Sequence, residues 1–460
     1  MVNRAGVILI AVVAGGQVDT QTAAGDGRPT VHLVSKIDVK DFGAETIRIG
    51  DLNGDGAPDL LFVQNVRGPR KITCLTATTI FGEVLWRTGK PSRDNGCIYC
   101  DLPVQIYDWD SDGRNEVMYV RQAVYAEPPY DGKSVRERAS RYEGNATMVV
   151  LDGRSGKEET SFPLPAPADD CFLFADLTGR GRRTDLVVKD RYWNMWGVSH
   201  AGKVLWHWAG STGHFPAVAD VDDDGKDEVF VGFALIDHDG KVLFSKDPKG
   251  HHQDAVYIVR SADGKWRLLS GNHGLYCLAP DGSEYWHGKF GEVQHVVAGR
   301  FRSDSPLQLA VIDRTPVPAH RRDKNAWAIL YLYGLDGKMI WQRKQEKGAW
   351  AIGTVAVNWF GAGRPQGMLV YGQSVYGQRP PQPAVIYGGQ GDIVETLPMH
   401  YAPLPDEKRF CTDYYALAAD VWGDSRQEVI LFGSRGACIY ANARPLEAPT
   451  LYNETLYPGM

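Results

Sequence analysis

At 460 residues the chain is long enough for two or three ordinary domains, or for one large repeat-built domain with ample core. It carries 51 Gly, 13 Trp and 21 Tyr, turn signals punctuate short β-branched and aromatic runs, and long stretches of helical period are hard to find, so the material is all-β. The formal charge of -6 is thinly spread and no basic block tracks a phosphate backbone, which sets nucleic acid aside as a partner.

Arg4 precedes an apolar run from Ala5 to Ala14, with small residues at Ala23 and Ala24. This reads as a signal peptide over residues 1–24, a secreted or periplasmic destination, and a single mature domain over 30–460 acting as a monomer. No later stretch reaches the roughly 18 apolar residues of a membrane span. The seven cysteines would then meet an oxidising compartment where some can pair; Cys97 and Cys100 read as a local disulfide or two buried thiols, with no second pair to complete a zinc site.

Three acidic loops share one pattern. Asp51, Asn53, Asp55 and Asp59 precede LLFVQ; Asp108, Asp110, Asp112 and Glu116 precede VMYV; Asp220, Asp222, Asp224 and Glu228 precede VFVG. Oxygen ligands at positions 1, 3 and 5, Gly at 6 and a carboxylate at 9 suit Ca2+, which takes oxygens at about 2.3–2.6 Å. A strand follows each loop and the last ligand comes early, so these are not EF-hands. A plain hairpin turn needs one or two such residues, not five at fixed offsets. Weaker copies begin at Asp176, Asn358 and Asp420, and nearly lost ones near Arg260 and Arg300, for eight in all. In the copy at Asp176, Arg180, Arg182 and Arg183 replace ligands, so an intramolecular cation and a metal both remain open there. A second hairpin signal recurs between copies, at Leu151-Asp-Gly, His200-Ala-Gly, Asp237-His-Asp-Gly and Leu335-Asp-Gly. Each unit therefore holds about four strands, and the expected fold is an eight-bladed β-propeller with structural calcium loops.

Six places ahead of each loop the first strand of a blade begins, on the opposite rim. Those positions are Glu45, Leu102, Asp170, His214, Asp254, Gln294, Ile352 and Tyr414, which predicts a largely polar central funnel. His214, His252, His273 and His295 fall in consecutive blades 4 to 6; they either converge on one site or cap strands singly. Tyr192, Trp193, Trp196 and Tyr276 offer sugar-stacking faces or inter-blade core.

The strings Gly213-His214-Phe-Pro-Ala-Val-Ala-Asp through Glu228, Gly250-His-His-Gln-Asp-Ala, and Tyr414-Tyr415 through Glu428 resemble the eight-bladed rhamnogalacturonan lyases, although the N-terminal β-sandwich of that family is missing. The resemblance implies β-elimination on a uronic-acid polysaccharide, with a calcium ion neutralising the substrate carboxylate and a basic side chain taking the C5 proton. It places His252, Asp254 and His273 on the metal side and offers Arg314, Lys189 and Arg191 as bases. His214, His295 and Tyr414 complete the catalytic candidates. Two other functions compete: a glycoside hydrolase using a carboxylate pair such as Asp170 and Glu45, and a non-catalytic glycan- or protein-binding propeller in which calcium only stiffens loops.

Overall fold

The computed structural model describes residues 29–39, 46–66, 71–91, 102–122, 146–168, 171–190, 193–246, 253–314, 327–345, 349–350, 353–372, 374–375, 382–400, 414–433 and 435–445. Eight four-stranded antiparallel sheets form the blades of a propeller, one per acidic-loop copy. Blade 1 runs Thr46–Gly50, Asp59–Val66, Lys71–Thr79 and Val84–Gly89 from the axis outward, and blades 2 to 7 repeat this order. In blade 8, Tyr415–Ala419, Glu428–Gly433 and Gly436–Asn442 are followed outward by Val31–Asp38, so the N-terminal strand closes the ring.

First strands of neighbouring blades touch around the axis, as do Ala217–Ala219, Ala255–Arg260, Val293–Gly299, Gly353–Val357 and Tyr415–Ala419 of blades 4 to 8. Second strands lie between neighbours on both faces, which is why Asp185–Lys189 and Gln308–Asp313 are buried at every residue instead of alternating. The outermost strands, such as Val242–Ser245, are mostly exposed. The core is correspondingly divided into wedges between blades: Leu61, Trp86, Val104 and Val117 fill the one between blades 1 and 2, and Leu177, Val187, Trp206 and Val229 the one between blades 3 and 4.

Each acidic loop joins the first strand of its blade to the second. Its position-6 glycines, Gly56, Gly113 and Gly225, all have φ of 87°, the left-handed region where a Cβ is strained. A further inter-blade device recurs on the fourth strands. The indole N–H of Trp86, Trp206, Trp286 and Trp341 donates to a carbonyl in the next blade's hairpin, at Gly153, His238, Leu335 and Gly389 respectively, over 2.7–2.9 Å. The ring lies against a hairpin glycine; a Cβ on Gly156 would stand 2.4 Å from Trp86.

Candidate active site and cation loops

Because the first strand of a blade runs from one rim to the other and the second runs back, first-strand starts and second-strand ends share one rim, opposite the acidic loops. In blades 4 to 6 this rim is polar. His214, just ahead of Ala217–Ala219, places Nε2 3.4 Å from Oδ1 of Asp254, just ahead of Ala255–Arg260. The other Asp254 oxygen accepts from Asn272 Nδ2 at 2.6 Å, where Asn272 follows the second strand of blade 5. The His214 amide also donates to the carbonyl of Gln253, so blades 4 and 5 are joined by backbone as well as side chain. His273 is exposed, and its Nδ1 lies 2.9 Å from the Gly291 carbonyl. A carbonyl only accepts, so Nδ1 carries the hydrogen and the neutral ring has its lone pair on Nε2. Glu292 pairs with Arg314, and buried Asp313 accepts the amides of Gly291 and Glu292, fixing the turn that presents both.

The remaining candidates lie apart from this cluster. His295 approaches blade 7, with Nδ1 3.4 Å from the Thr354 carbonyl and its ring edge-on to Tyr371. Lys189 is fully buried, and Tyr414 is buried with its hydroxyl donating to the Gln382 carbonyl at 2.7 Å, so neither faces a polymer substrate. Arg191, His252, Glu45, Asp170, Ile352 and Tyr192 lie outside the described residues. The cavity at the axis, about 420 Å³, is lined by Ile47, Ile49, Leu173, Phe215 and Leu417 with Arg48 and Gln105 as its polar members. The funnel expected to be polar is therefore largely apolar on this lining; Leu102 and Tyr414 of the expected set are buried. Trp193 is buried core, while Tyr276 lies edge-on to Phe233 and stacks on His287. Cys74, Cys171, Cys277 and Cys438 are buried thiols and not disulfide halves; burial pushes Cys277 up to about 12 and Cys438 up to about 11. Cys97, Cys100 and Cys411 lie outside the described residues.

On the loop rim, each of the three full acidic loops uses its position-9 side chain to hold its own backbone. Asp59 accepts the amides of Leu52 and Asn53, Glu116 that of Trp109 at 2.7 Å, and Glu228 that of Val221 at 2.6 Å. While Gln366 of the Asn358 copy accepts from Arg300 instead, three of the five degenerate copies keep an equivalent bond, through Asp185 (one place further on) to Thr178, Gln308 to Phe301 and Glu428 to Val421. It is thus a fold element, independent of any ion. The full copies add crowded carboxylates: Asp108, Asp110 and Glu116 bring ligand atoms within 4.8 Å of one another, and so do Asp220, Asp222 and Glu228. Among the described residues, the groups so gathered all lie in the acidic loops and their neighbouring hairpins, none on the rim of His214 and Asp254. Oδ1 of Asp108 and Oε1 of Glu228 are buried without a hydrogen-bond partner, which is the state expected of oxygens whose partner is a cation. Burial, reinforced by neighbouring carboxylates, pushes Glu116 and Glu228 up from 4.5 to about 7. The donor chemistry fits calcium in these loops.

The arginines of the third loop resolve differently from a local ligand swap. Arg182 pairs with Asp108 of the blade 2 loop at 3.2 Å, and Arg183 with Asp227 of the blade 4 loop at 2.8 Å. They act as fixed cations on both neighbouring blades. Asn272, Glu292 and Asp313 were not legible as site residues in the sequence, because each meets its partner about twenty residues away only once the first two strands of its blade pair.

Residues 187–296 match the Rhamnogalacturonan lyase family 11, C-terminal domain. The chain is 24% identical to the rhamnogalacturonan endolyase YesW of Bacillus subtilis (strain 168) over 251 residues, covering 44% of this chain and 40% of that one. It is 24% identical to the rhamnogalacturonan exolyase YesX of the same organism over 266 residues, covering 47% and 42%. The matches thus span about two fifths of these relatives. The crystal structure of exotype rhamnogalacturonan lyase YesX superposes with a TM-score of 0.58 at 19% identity, over 92% of this chain and 74% of that one, which is a likeness of fold.

Proposed function

We propose that this chain, a distant relative of the rhamnogalacturonan lyases, is an exported polysaccharide lyase that cleaves a uronic-acid-containing polysaccharide by β-elimination at the rim of blades 4 to 6. One coincidence carries the reading: the segment similar to the lyase family, 187–296, is the segment that brings His214, Asp254, Asn272, His273 and Glu292 to that rim.

In β-elimination the C5 proton passes to a base, the C5–H electron pair becomes the C4=C5 double bond, and the C4–O4 bond breaks with O4 taking up a proton. The difficult step is removing a proton from carbon beside an anionic carboxylate, and positive charge or donated hydrogen bonds at that carboxylate lower the barrier. His273 takes the base role, since its carbonyl-fixed tautomer puts the lone pair on Nε2 of an exposed side chain. Arg314, oriented by Glu292, and His214, oriented by Asp254, supply charge and donors toward the substrate carboxylate. Asn272 holds the far side of Asp254 and so acts by positioning. His295 flanks the rim on its blade 7 side. Calcium, when bound by the loops of blades 1, 2 and 4, neutralises their clustered carboxylates and stiffens the opposite rim. These roles belong to described protein groups; His252, which the resemblance puts on the metal side with Asp254 and His273, lies outside the described residues.

The test is incubation of the purified chain with a panel of uronate polysaccharides in calcium buffer, following ultraviolet absorbance of the unsaturated product. Absorbance that grows with time on a rhamnogalacturonan-type substrate is expected. New reducing ends without absorbance would identify a hydrolase, and binding without new ends a glycan-binding propeller; either result overturns the reading.

A further inference from the structure

Among the described residues, the acidic loop of blade 4 is where a histidine joins the carboxylates in a gathered ligand group. The hairpin tip of the same blade, Asp237-His238-Asp239-Gly240, folds over the loop, and Asp224, Glu228 and His238 bring ligand atoms within 4.8 Å of one another. His238 Nδ1 stands 3.6 Å from Asp224 Oδ2; it is also 2.7 Å from Asp237 Oδ1, but outside hydrogen-bonding alignment. Glu228 is fully buried, and while one oxygen holds the Val221 amide, Oε1 has no hydrogen-bond partner. A buried carboxylate oxygen without a donor is costly, and a cation removes that cost.

We infer that Asp224, Glu228 and His238 form a mixed nitrogen and oxygen site for a divalent transition-metal ion, of the class of Mn2+, Co2+ or Zn2+. Calcium takes oxygen ligands almost exclusively, whereas imidazole is a ligand for first-row transition metals. The all-oxygen set of Asp220, Asp222 and Glu228 lies beside it and shares Glu228, so the loop offers two cation environments of different hardness. Lys226 opposes the transition metal. Its Nζ is 2.9 Å from His238 Nε2 and 3.8 Å from Asp224 Oδ2. An ammonium only donates, so this contact makes Nε2 the acceptor and leaves the ring hydrogen on Nδ1. A metal at Nδ1 requires the opposite tautomer, and Lys226 has to swing away. The inference stands on the loop geometry alone and does not rest on the lyase reading.

The experiment strips the full chain with a chelator, adds Mn2+, and records pulsed electron paramagnetic resonance together with Mn2+ affinity and the calcium-induced rise in Tm. In the unsubstituted chain, 14N modulation from a directly bound imidazole is expected. His238→Gln is expected to lose that modulation and to weaken Mn2+ binding roughly ten- to hundredfold, with its calcium response retained. Lys226→Met is expected to keep the modulation and tighten Mn2+ binding, which tests the site without removing a ligand. Absence of 14N modulation in the unsubstituted chain, its persistence in His238→Gln, or weaker Mn2+ binding in Lys226→Met overturns the inference.

Discussion

At the scale of single residues, the molecule separates side chains that act on a ligand from side chains that hold those in place. His273 is fixed through Nδ1 by the Gly291 carbonyl, and removing its ring leaves the surrounding backbone intact. His273→Gln is therefore expected to lower kcat by about 10²- to 10⁴-fold, the ordinary contribution of a general base, with Tm within the error of the parent. A large fall in Tm at unchanged kcat would instead make His273 structural. Glu116 and Glu228 give a prediction of opposite character. Their carboxyls are pushed from 4.5 up to about 7 by burial, so the metal-free fold holds the proton more tightly than the unfolded chain does. The cost of burying the charge is present in full above pH 7, and it shrinks as pH falls toward 4.5, by up to about 3 kcal/mol per residue. Calcium binds the ionised form, so it reverses the dependence. Chelated protein is expected to gain Tm between pH 7.5 and 5.5 and calcium-loaded protein to lose it. Parallel slopes in differential scanning calorimetry would show that these carboxylates hold no ion.

At the scale of elements, the repeat was legible because a loop and the strand after it are local in sequence. Aspartates at fixed offsets, a glycine for the left-handed turn and a buried strand recur within ten residues of each other, and three of the five degenerate copies keep the bond from the strand's first side chain back to the loop. Contacts between blades were not legible, since nothing in the spacing of Arg182 and Arg183 says that they reach Asp108 and Asp227 on opposite neighbours. Asn272 and Asp313 were hidden within their own blades, since they meet Asp254 and the Gly291–Glu292 amides only when the first and second strands of blades 5 and 6 pair. Of the strand-start positions expected to make a polar funnel, His214 and Asp254 meet at the rim, Leu102 and Tyr414 turn into the wedges between blades, and Glu45, Asp170 and Ile352 lie outside the described residues. The tryptophan clamps are the inter-blade contact most open to test. Trp86→Phe keeps a six-membered aromatic ring but loses the pyrrole ring and its N–H bond to Gly153, which should lower stability by at least about 1–2 kcal/mol. Gly156→Ala adds a Cβ at 2.4 Å from the Trp86 ring on a residue with φ of 64°, so its loss should be the larger of the two. Chemical denaturation of both variants checks the order; equal stability of Gly156→Ala and the parent would mean that the clamp is slack.

At the scale of the whole molecule, the ring is closed by chain ends that meet in blade 8. Val31–Asp38 pairs along Gly436–Asn442, and Ile37 and Val39 enter the wedge formed with Ile47, Phe62 and Ile439. Thr30 adds a bond to Glu395 of blade 7, and Glu395 also pairs with Arg444, so the residues flanking the first and last described strands are tied to the same carboxylate. This arrangement makes the seam the least local part of the fold, and its cost of closure is met only when both ends are in place. Deleting residues 29–39 removes two buried apolar side chains, each stabilising by about 1.5–3 kcal/mol, and exposes the edge of Gly436–Asn442. The truncated chain is expected to melt several degrees lower and to self-associate through that edge. A synthetic peptide covering residues 29–39 should restore both the Tm and the elution volume of the parent chain by supplying the missing strand in trans. The rim of His214, Asp254 and His273 lies in blades 4 to 6, away from the seam, so activity per folded molecule should recover in proportion to the folded fraction. Size-exclusion chromatography and thermal melts with and without the peptide decide the matter; an unchanged Tm on deletion would show that wedge packing alone keeps the ring shut.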